Sequence, residues 1–202
     1  MEDGIEITSS NNWHMGSIYE FCSVIYGAPF KSSLFNEESR GLPLIRIRDL
    51  KSCSPQIYTE EIHRKATEIH PGDLLIGMDA EFRPHIWFGK NALLNQRVCK
   101  IEPIHDISPY CALLLLRSEL YSIESYKTGT TVSHIGKSDF DAMNVMMPKI
   151  DEMKKFSDII SPLVRLMVDN RLKNTKLSIT RDLLLSKLMT GEINVSNLVL
   201  GS

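Results

Sequence analysis

Asp73, Asp79 and Glu81 lie close together in sequence. Carboxylates grouped this way could hold a divalent cation for phosphodiester cleavage. The position two residues past Glu81 is Arg83, however, not the Lys that many such nucleases carry there. These acids therefore read as loop solubilisers and as partners for Arg83. The six histidines, His14, His63, His70, His85, His105 and His134, show no H-E-x-x-H or other ligand spacing. There is no G-x-G-x-x-G after a strand, no Walker loop and no serine nucleophile elbow. An Asn/Asp-Pro-Pro-Tyr/Phe stretch, with which amino-methyltransferases grip a base, is also missing. The chain reads as non-catalytic and without a metal site.

The totals restrict the class further. A chain of 202 residues holds one full domain with an appendage, or two small domains. Apolar residues make up 43%, which suits a packed core and argues against disorder. Net charge is −2, so no overall basic surface advertises nucleic acid. Residues 1–25 carry four acids and no Lys or Arg, whereas 148–202 carry nine basic against six acidic residues. Cys22, Cys53, Cys99 and Cys111 have no C-x-x-C spacing and read as free thiols, which makes a cytoplasmic location the default. Met1 to Asn12 is acidic and polar, unlike a signal peptide, and the longest apolar run, Cys111–Leu116, cannot span a bilayer.

Residues 1–12 read as a flexible N-terminal segment and 13–147 as a mixed α/β (α+β) domain. Trp13–Tyr26 suggests a short strand and helix, closed by Gly27-Ala28-Pro29. Leu42–Arg48 alternates apolar and basic residues, the pattern of a half-buried strand with Arg46 and Arg48 on one face. Leu74–Met78 is a buried strand. His85–Phe88, a Gly89-Lys90-Asn91 turn and Ala92–Ile101 suggest a hairpin. Pro109–Tyr121 is a helix, and Asn144–Met147 a last strand before Pro148.

From 148 to 193 the pattern changes to steps of three and four. Met153, Phe156, Ile160, Leu163, Met167, Leu177, Leu184 and Leu188 form an apolar stripe close to a coiled-coil seam. Ser161-Pro162 is a helix start signal, so two helices are expected, about Lys149–Ile160 and Pro162–Met189, with Gly191 as the C-terminal cap. The second would reach roughly 40 Å. Asn170, Asn174 and Arg181 lie on the same stripe, where polar residues cost stability but fix register and partner. The stripe either packs on its own domain or forms an arm that dimerises or receives another subunit. Residues 194–202 are a tail.

Several stretches resemble a known family. They are Tyr26-Gly27-Ala28-Pro29-Phe30-Lys31-Ser32, Gly41-Leu42-Pro43-Leu44-Ile45-Arg46-Ile47-Arg48-Asp49-Leu50 and Pro71-Gly72-Asp73-Leu74-Leu75-Ile76. To these add Leu94-Asn95-Gln96-Arg97-Val98, Gly129-Thr130-Thr131-Val132-Ser133-His134-Ile135 and the close at Leu184–Ile193. In their order and spacing, from Trp13 to Ile193, they are similar to the DNA specificity (S) subunit of type I restriction–modification systems. Typical members carry two tandem units, each a target recognition domain followed by a helix. This chain holds one, as a half-size subunit or a fragment of a longer protein would. The resemblance implies a recognition domain at 13–147 and a spacer or dimerisation helix region at 148–193. It implies no cofactor in this chain, with S-adenosylmethionine in a partner modification subunit. The implied partners are double-stranded DNA, modification (methyltransferase) subunits, a restriction subunit that can join, and a second copy of the chain; no membrane is involved.

Base reading needs Arg for guanine and Asn or Gln for adenine, with Lys, Ser and Thr on phosphates. On that implication the candidates are Lys31, Ser32, Ser33, Arg46, Arg48, Arg83, Lys90, Asn91, Lys127, Thr130, Thr131, His134 and Lys137. Arg46 and Arg48 could instead pair with Asp49 or Glu38, and Thr130 and Thr131 could merely support the turn after Gly129. The competing reading is a protein-interaction or decoy module of the same fold that does not read DNA.

Overall fold

The computed structural model describes residues 13–127 and 134–193. The expected N-terminal segment and tail lie outside them, as do Thr130 and Thr131. Strands β1 (His14–Ser17) and β2 (Cys22–Tyr26) are joined by a single 3-10 turn at Ile18–Glu20 rather than a helix. Its ends are closed reciprocally: Ser17 Oγ accepts from the Tyr19 N–H, and the Glu20 carboxylate accepts from the Ser17 N–H at 3.1 Å. Next come β3 (Phe35–Asn36), β4 (Leu42–Ile45), β5 (Tyr58–Thr59), β6 (Glu68–Ile69), β7 (Leu74–Gly77), β8 (Pro84–Ile86), β9 (Ala92–Leu94) and β10 (Val98–Pro103). Helix α1 (Pro109–Lys127), the short α2 (Lys137–Asp141), β11 (Asn144–Met147) and α3 (Ile150–Met189) complete the chain.

The strands form two main sheets, in orders β2-β10-β7-β8 and β3-β5-β4-β9-β6, with β1 and β11 paired separately. The expected hairpin over 85–101 does not form. Strand β8 pairs with β7, β9 pairs with β4 and β6, and β10 lies in the other sheet. The run 92–101 is cut at Asn95-Gln96-Arg97, where Asn95 Oδ1 accepts from the Gln96 N–H and the Asn95 carbonyl from the Val98 N–H, both at 2.9 Å. Gly27 lies against this turn: a Cβ there would meet the Asn95 carbonyl oxygen at 2.0 Å, so only glycine fits.

Strand β7 is buried on both faces, which explains its unbroken apolar run. Leu74 and Ile76 face the larger core with Phe21, Phe82, Ile101, Leu116 and Phe140. Leu75 faces a second core between the sheets, with Ile45, Trp87, Leu94 and Val98.

The two helices expected at 149–189 are one, α3, with Pro162 inside it. Pro162 removes one backbone donor, but it and Asp158 are both exposed, so water can satisfy the Asp158 carbonyl. On the opposite side Met153, Ser157, Val164 and Val168 are buried against the body. Those four share a face only if the helix is unbroken, so their burial offsets the proline. Ser108 caps α1 from just before Pro109: its Oγ accepts from the Tyr110 N–H at 3.2 Å. Its own buried N–H donates to Ser157 Oγ at 2.8 Å, tying α3 to the start of α1. Beyond Val168 no residue of α3 is buried. Gly191, at φ +73°, caps the helix as expected, its N–H donating to the Leu188 carbonyl.

Replacing Ser157 with Ala strands the Ser108 N–H in an apolar setting. We expect a loss of about 1–3 kcal/mol in urea unfolding, against about 0.5 kcal/mol or less for Ser178→Ala on the exposed end.

Candidate nucleic-acid interface

The residues singled out for DNA contact fall into separate groups. Around the end of α1, Lys127 Nζ pairs with Asp139 Oδ1 at 2.7 Å and donates to the His134 carbonyl at 2.8 Å. The His134 ring Nδ1 lies 2.7 Å from Asp79 Oδ1, which Arg97 also reaches at 3.4 Å. Arg83 joins from the same loop as Asp79, its Nη2 lying 3.7 Å from Glu124 Oε1, one turn before Lys127. Lys137 pairs with Asp141, which accepts the Tyr19 hydroxyl at 2.7 Å. Lys127 and His134 are thus in direct contact, while Arg83 meets the same helix one turn earlier at Glu124 and Lys137 forms a separate pair with Asp141 on α2.

Burial, and then the Asp141 carboxylate beside it, pushes the Tyr19 phenol up to about 12. Burial works against the Asp139 carboxylate, but the Gly136 N–H and Lys127 outweigh it and hold its pKa below the ordinary range. Arg97 and Tyr19 were not among the sequence candidates. Arg97 sits in a stretch that alternation assigns to a strand interior, whereas the turn at 95–97 puts it on the surface.

The other candidates belong to the five-stranded sheet. The Lys31 backbone N–H donates to Glu61 at 2.8 Å, and Ser32 and Ser33 start a 3-10 turn before β3. Lys90 lends its carbonyl to the Trp87 indole N–H at 2.8 Å, and Asn91 Nδ2 donates to Glu68 at 3.0 Å. Strands β4 and β9 run parallel. Arg46 and Arg48, past the end of β4, therefore lie toward the opposite end from Lys90 and Asn91, just before β9. The strand expected at Leu42–Arg48 stops at Ile45, so Arg46 and Arg48 do not share a strand face. Arg46 opens a 3-10 turn, where the buried Asp49 carboxylate accepts from its N–H at 2.9 Å and pairs with its Nε at 3.4 Å. Arg48 is exposed, with no ion pair among the described residues.

Asp73, Asp79 and Glu81 do not converge. Asp73 pairs with Lys100 at 3.2 Å, and no group of three or more metal-ligating side chains occurs among the described residues. No described helix is long and apolar enough to cross a membrane.

Along α3 the heptad stripe has two fates. Met153 is buried on the body and Ile160 is half-buried. Phe156, Leu163, Met167, Leu177, Leu184 and Leu188 are exposed, Leu177 by 65%, as are Asn170, Asn174 and Arg181. Beside Met167 a cleft of about 1020 Å³ opens between α1 and β8, lined by Phe88, Tyr110, Leu114, Tyr121 and Arg117. It carries the apolar stripe onto the body.

Residues 10–179 match the family model described as type I restriction modification DNA specificity domain. The chain is 33% identical over 156 residues to the type I restriction enzyme EcoBI specificity subunit of Escherichia coli, covering 76% of this chain and 33% of that protein. It is 24% identical to the MjaVIII specificity subunit of Methanocaldococcus jannaschii, covering 74% and 35%. Two solved structures share the fold. The HsdS subunit from Thermoanaerobacter tengcongensis gives a TM-score of 0.55 at 18% identity, over 95% of this chain and 48% of that one. The type I restriction–modification S subunit from M. genitalium gives 0.58 at 16%, over 88% and 45%. The chain spans about a third of those two curated relatives and just under half of the two solved chains.

Arg46 and Arg48 separate cleanly by experiment. Arg46→Ala leaves a buried carboxylate short of its cation and should cost about 1–3 kcal/mol in thermal or urea unfolding. Arg48→Ala should leave stability within about 0.5 kcal/mol and, if it touches phosphate, lower the salt slope of DNA binding by about one.

Proposed function

The chain belongs to the type I restriction modification DNA specificity family, and from that premise we propose that it reads DNA as a half-size specificity subunit. Its family is one of specificity subunits, so its place in a complex is non-catalytic. Modification subunits would bring S-adenosylmethionine and methylate adenine, and a restriction subunit would join to cut. This chain would supply one target recognition domain, 13–147. Lys31, Ser32, Arg48, Lys90, Asn91 and the group at the end of α1 are its proposed contacts, together with Thr130 and Thr131. Arg46 would act by shaping the turn that presents Arg48.

One observation carries the dimeric part of this reading: the exposed stripe of α3. Apolar side chains from Phe156 to Leu188 recur at heptad spacing along a helix of roughly 60 Å, and the body covers only the neighbouring face. A second copy, with the same stripe, can cover it and form a two-fold spacer. Two recognition domains would then read a split, symmetric target. Near-neutral net charge favours weak DNA binding by the chain alone, with partners supplying much of the phosphate attraction.

The test is to assemble the chain with a modification subunit and select bound duplexes from a randomised pool at two salt concentrations. A split motif with two-fold symmetry is the expected outcome. A single half-motif would remove the paired arrangement, and stable assembly without enrichment would favour the interaction module. In parallel, Leu177→Glu with Leu184→Glu should convert a dimer to a monomer by light scattering, with the body's unfolding unchanged because both residues are exposed. A wild-type chain that stays monomeric with the modification subunit would refute pairing through α3.

A further inference from the structure

Between β5 and β6 the chain reads Glu60-Glu61-Ile62-His63-Arg64-Lys65-Ala66-Thr67. Ile62 is 100% exposed. Most other large apolar residues with most of their surface exposed lie on α1, on α3 or at the amino end, and Met146, at 52%, lies on β11.

The loop that holds Ile62 outward is well tied down. The His63 ring packs on Phe30 with centroids 5.5 Å apart. His63 Nδ1 accepts from the Lys65 N–H at 3.1 Å, and the His63 carbonyl accepts from the Ala66 N–H at 2.9 Å. On the other side Glu61 is turned back to the Lys31 N–H, and its own N–H donates to Thr59 Oγ1 at 3.1 Å. Ile62 is therefore bracketed by ordered residues and cannot easily fold away. Holding a β-branched side chain wholly in water gains nothing for the folded chain, so the arrangement suits contact with something else.

The surroundings name the class of that contact. Arg64 and Lys65 follow directly and are exposed, with no ion pair among the described residues. The same tie brings Lys31 alongside. Glu60 is also exposed, but Glu61 is engaged on the backbone. A rigid apolar tip flanked by cations matches a DNA groove: the cations meet phosphates, and the methyl-rich tip meets the one apolar group on a major-groove edge, the C5-methyl of thymine.

We propose that Ile62, presented by the 60–66 loop, is a specificity-determining residue that contacts a thymine methyl in the half-site, with Arg64, Lys65 and Lys31 on the adjacent phosphates. The assignment rests on the DNA-reading function proposed above. It adds a base-reading position at a loop which that reading had left empty.

The experiment uses the chain assembled with its modification subunit and a randomised duplex pool, prepared once with thymine and once with uracil throughout. Wild type should enrich one thymine position in the first pool by about tenfold, the worth of one base contact, and lose that preference in the uracil pool. Ile62→Ala should lose the same position in both pools while keeping the rest of the motif. An Ile62→Ala motif equal to wild type at every position overturns the proposal. So does an Ile62→Ala chain that loses assembly with the modification subunit yet keeps the motif, which would make the tip a protein contact. A wild-type chain that enriches no motif refutes DNA reading itself, which separates that failure from this one.

Discussion

The buried hydrogen bond between the Ser108 N–H and Ser157 Oγ couples the two parts of the chain. Ser108 is the cap of α1, so the bond joins the first turn of one helix to the second turn of the other. With Met153, Val164 and Val168 it keeps 150–168 one continuous helix despite Pro162. Everything beyond follows from that. Once the first half of α3 is held, the second half continues off the body as a rigid rod, because nothing in 169–189 ends a helix until Gly191. The stripe is exposed for the same reason: the body occupies the face of Ser157 and Val164, and the stripe lies on the neighbouring side of the helix.

A second constraint concerns charge. Several basic residues of the body are neutralised locally. Arg46 serves Asp49, Lys100 serves Asp73, Lys127 serves Asp139, and Arg97 with His134 converges on Asp79. These pairs hold loops in shape, and partly exposed pairs add little stability of their own. What they contribute is position: each keeps a donor-bearing side chain at a set place on the fold. A reader of base edges depends on that geometry more than on net charge. Arg48, Arg64 and Lys65 lie outside the pairs and remain open to phosphate.

Much of this was legible in the sequence, and the misreadings have physical causes. The long-period stripe, the Gly191 cap, the buried β7 and the α1 helix are local signals, read from composition and spacing alone. Ser161-Pro162 looked like a start signal because the burial of Val164 and Val168, which carries the helix through, is a tertiary fact. The 92–101 run looked like one strand because alternation does not reveal that its halves join different sheets. Arg46 and Arg48 looked like strand neighbours for want of the buried Asp49, whose pull starts a turn at Arg46. Ile62 gave a faint signal, a lone apolar residue inside a charged run, which is ordinarily read as a solvated loop. Its meaning came only with full exposure and a braced loop.

The rigid rod also explains why polar residues on the stripe are worth their cost. On the proposed pairing, a slip of one heptad between two α3 helices would move the recognition domains by roughly 10 Å. That is about three base pairs of duplex, enough to carry a reader off its half-site. Leucines alone would tolerate such a slip, since one apolar layer resembles the next. Asn170 and Asn174, adjacent layers midway along the stripe, would not: only one alignment lets their amides meet, and any other sets them against leucine or methionine. Arg181 would add a penalty wherever it met its own copy, which disfavours a parallel pairing in register. The same helix would then set both the partner and the spacing, with stability given up at its centre for a single length.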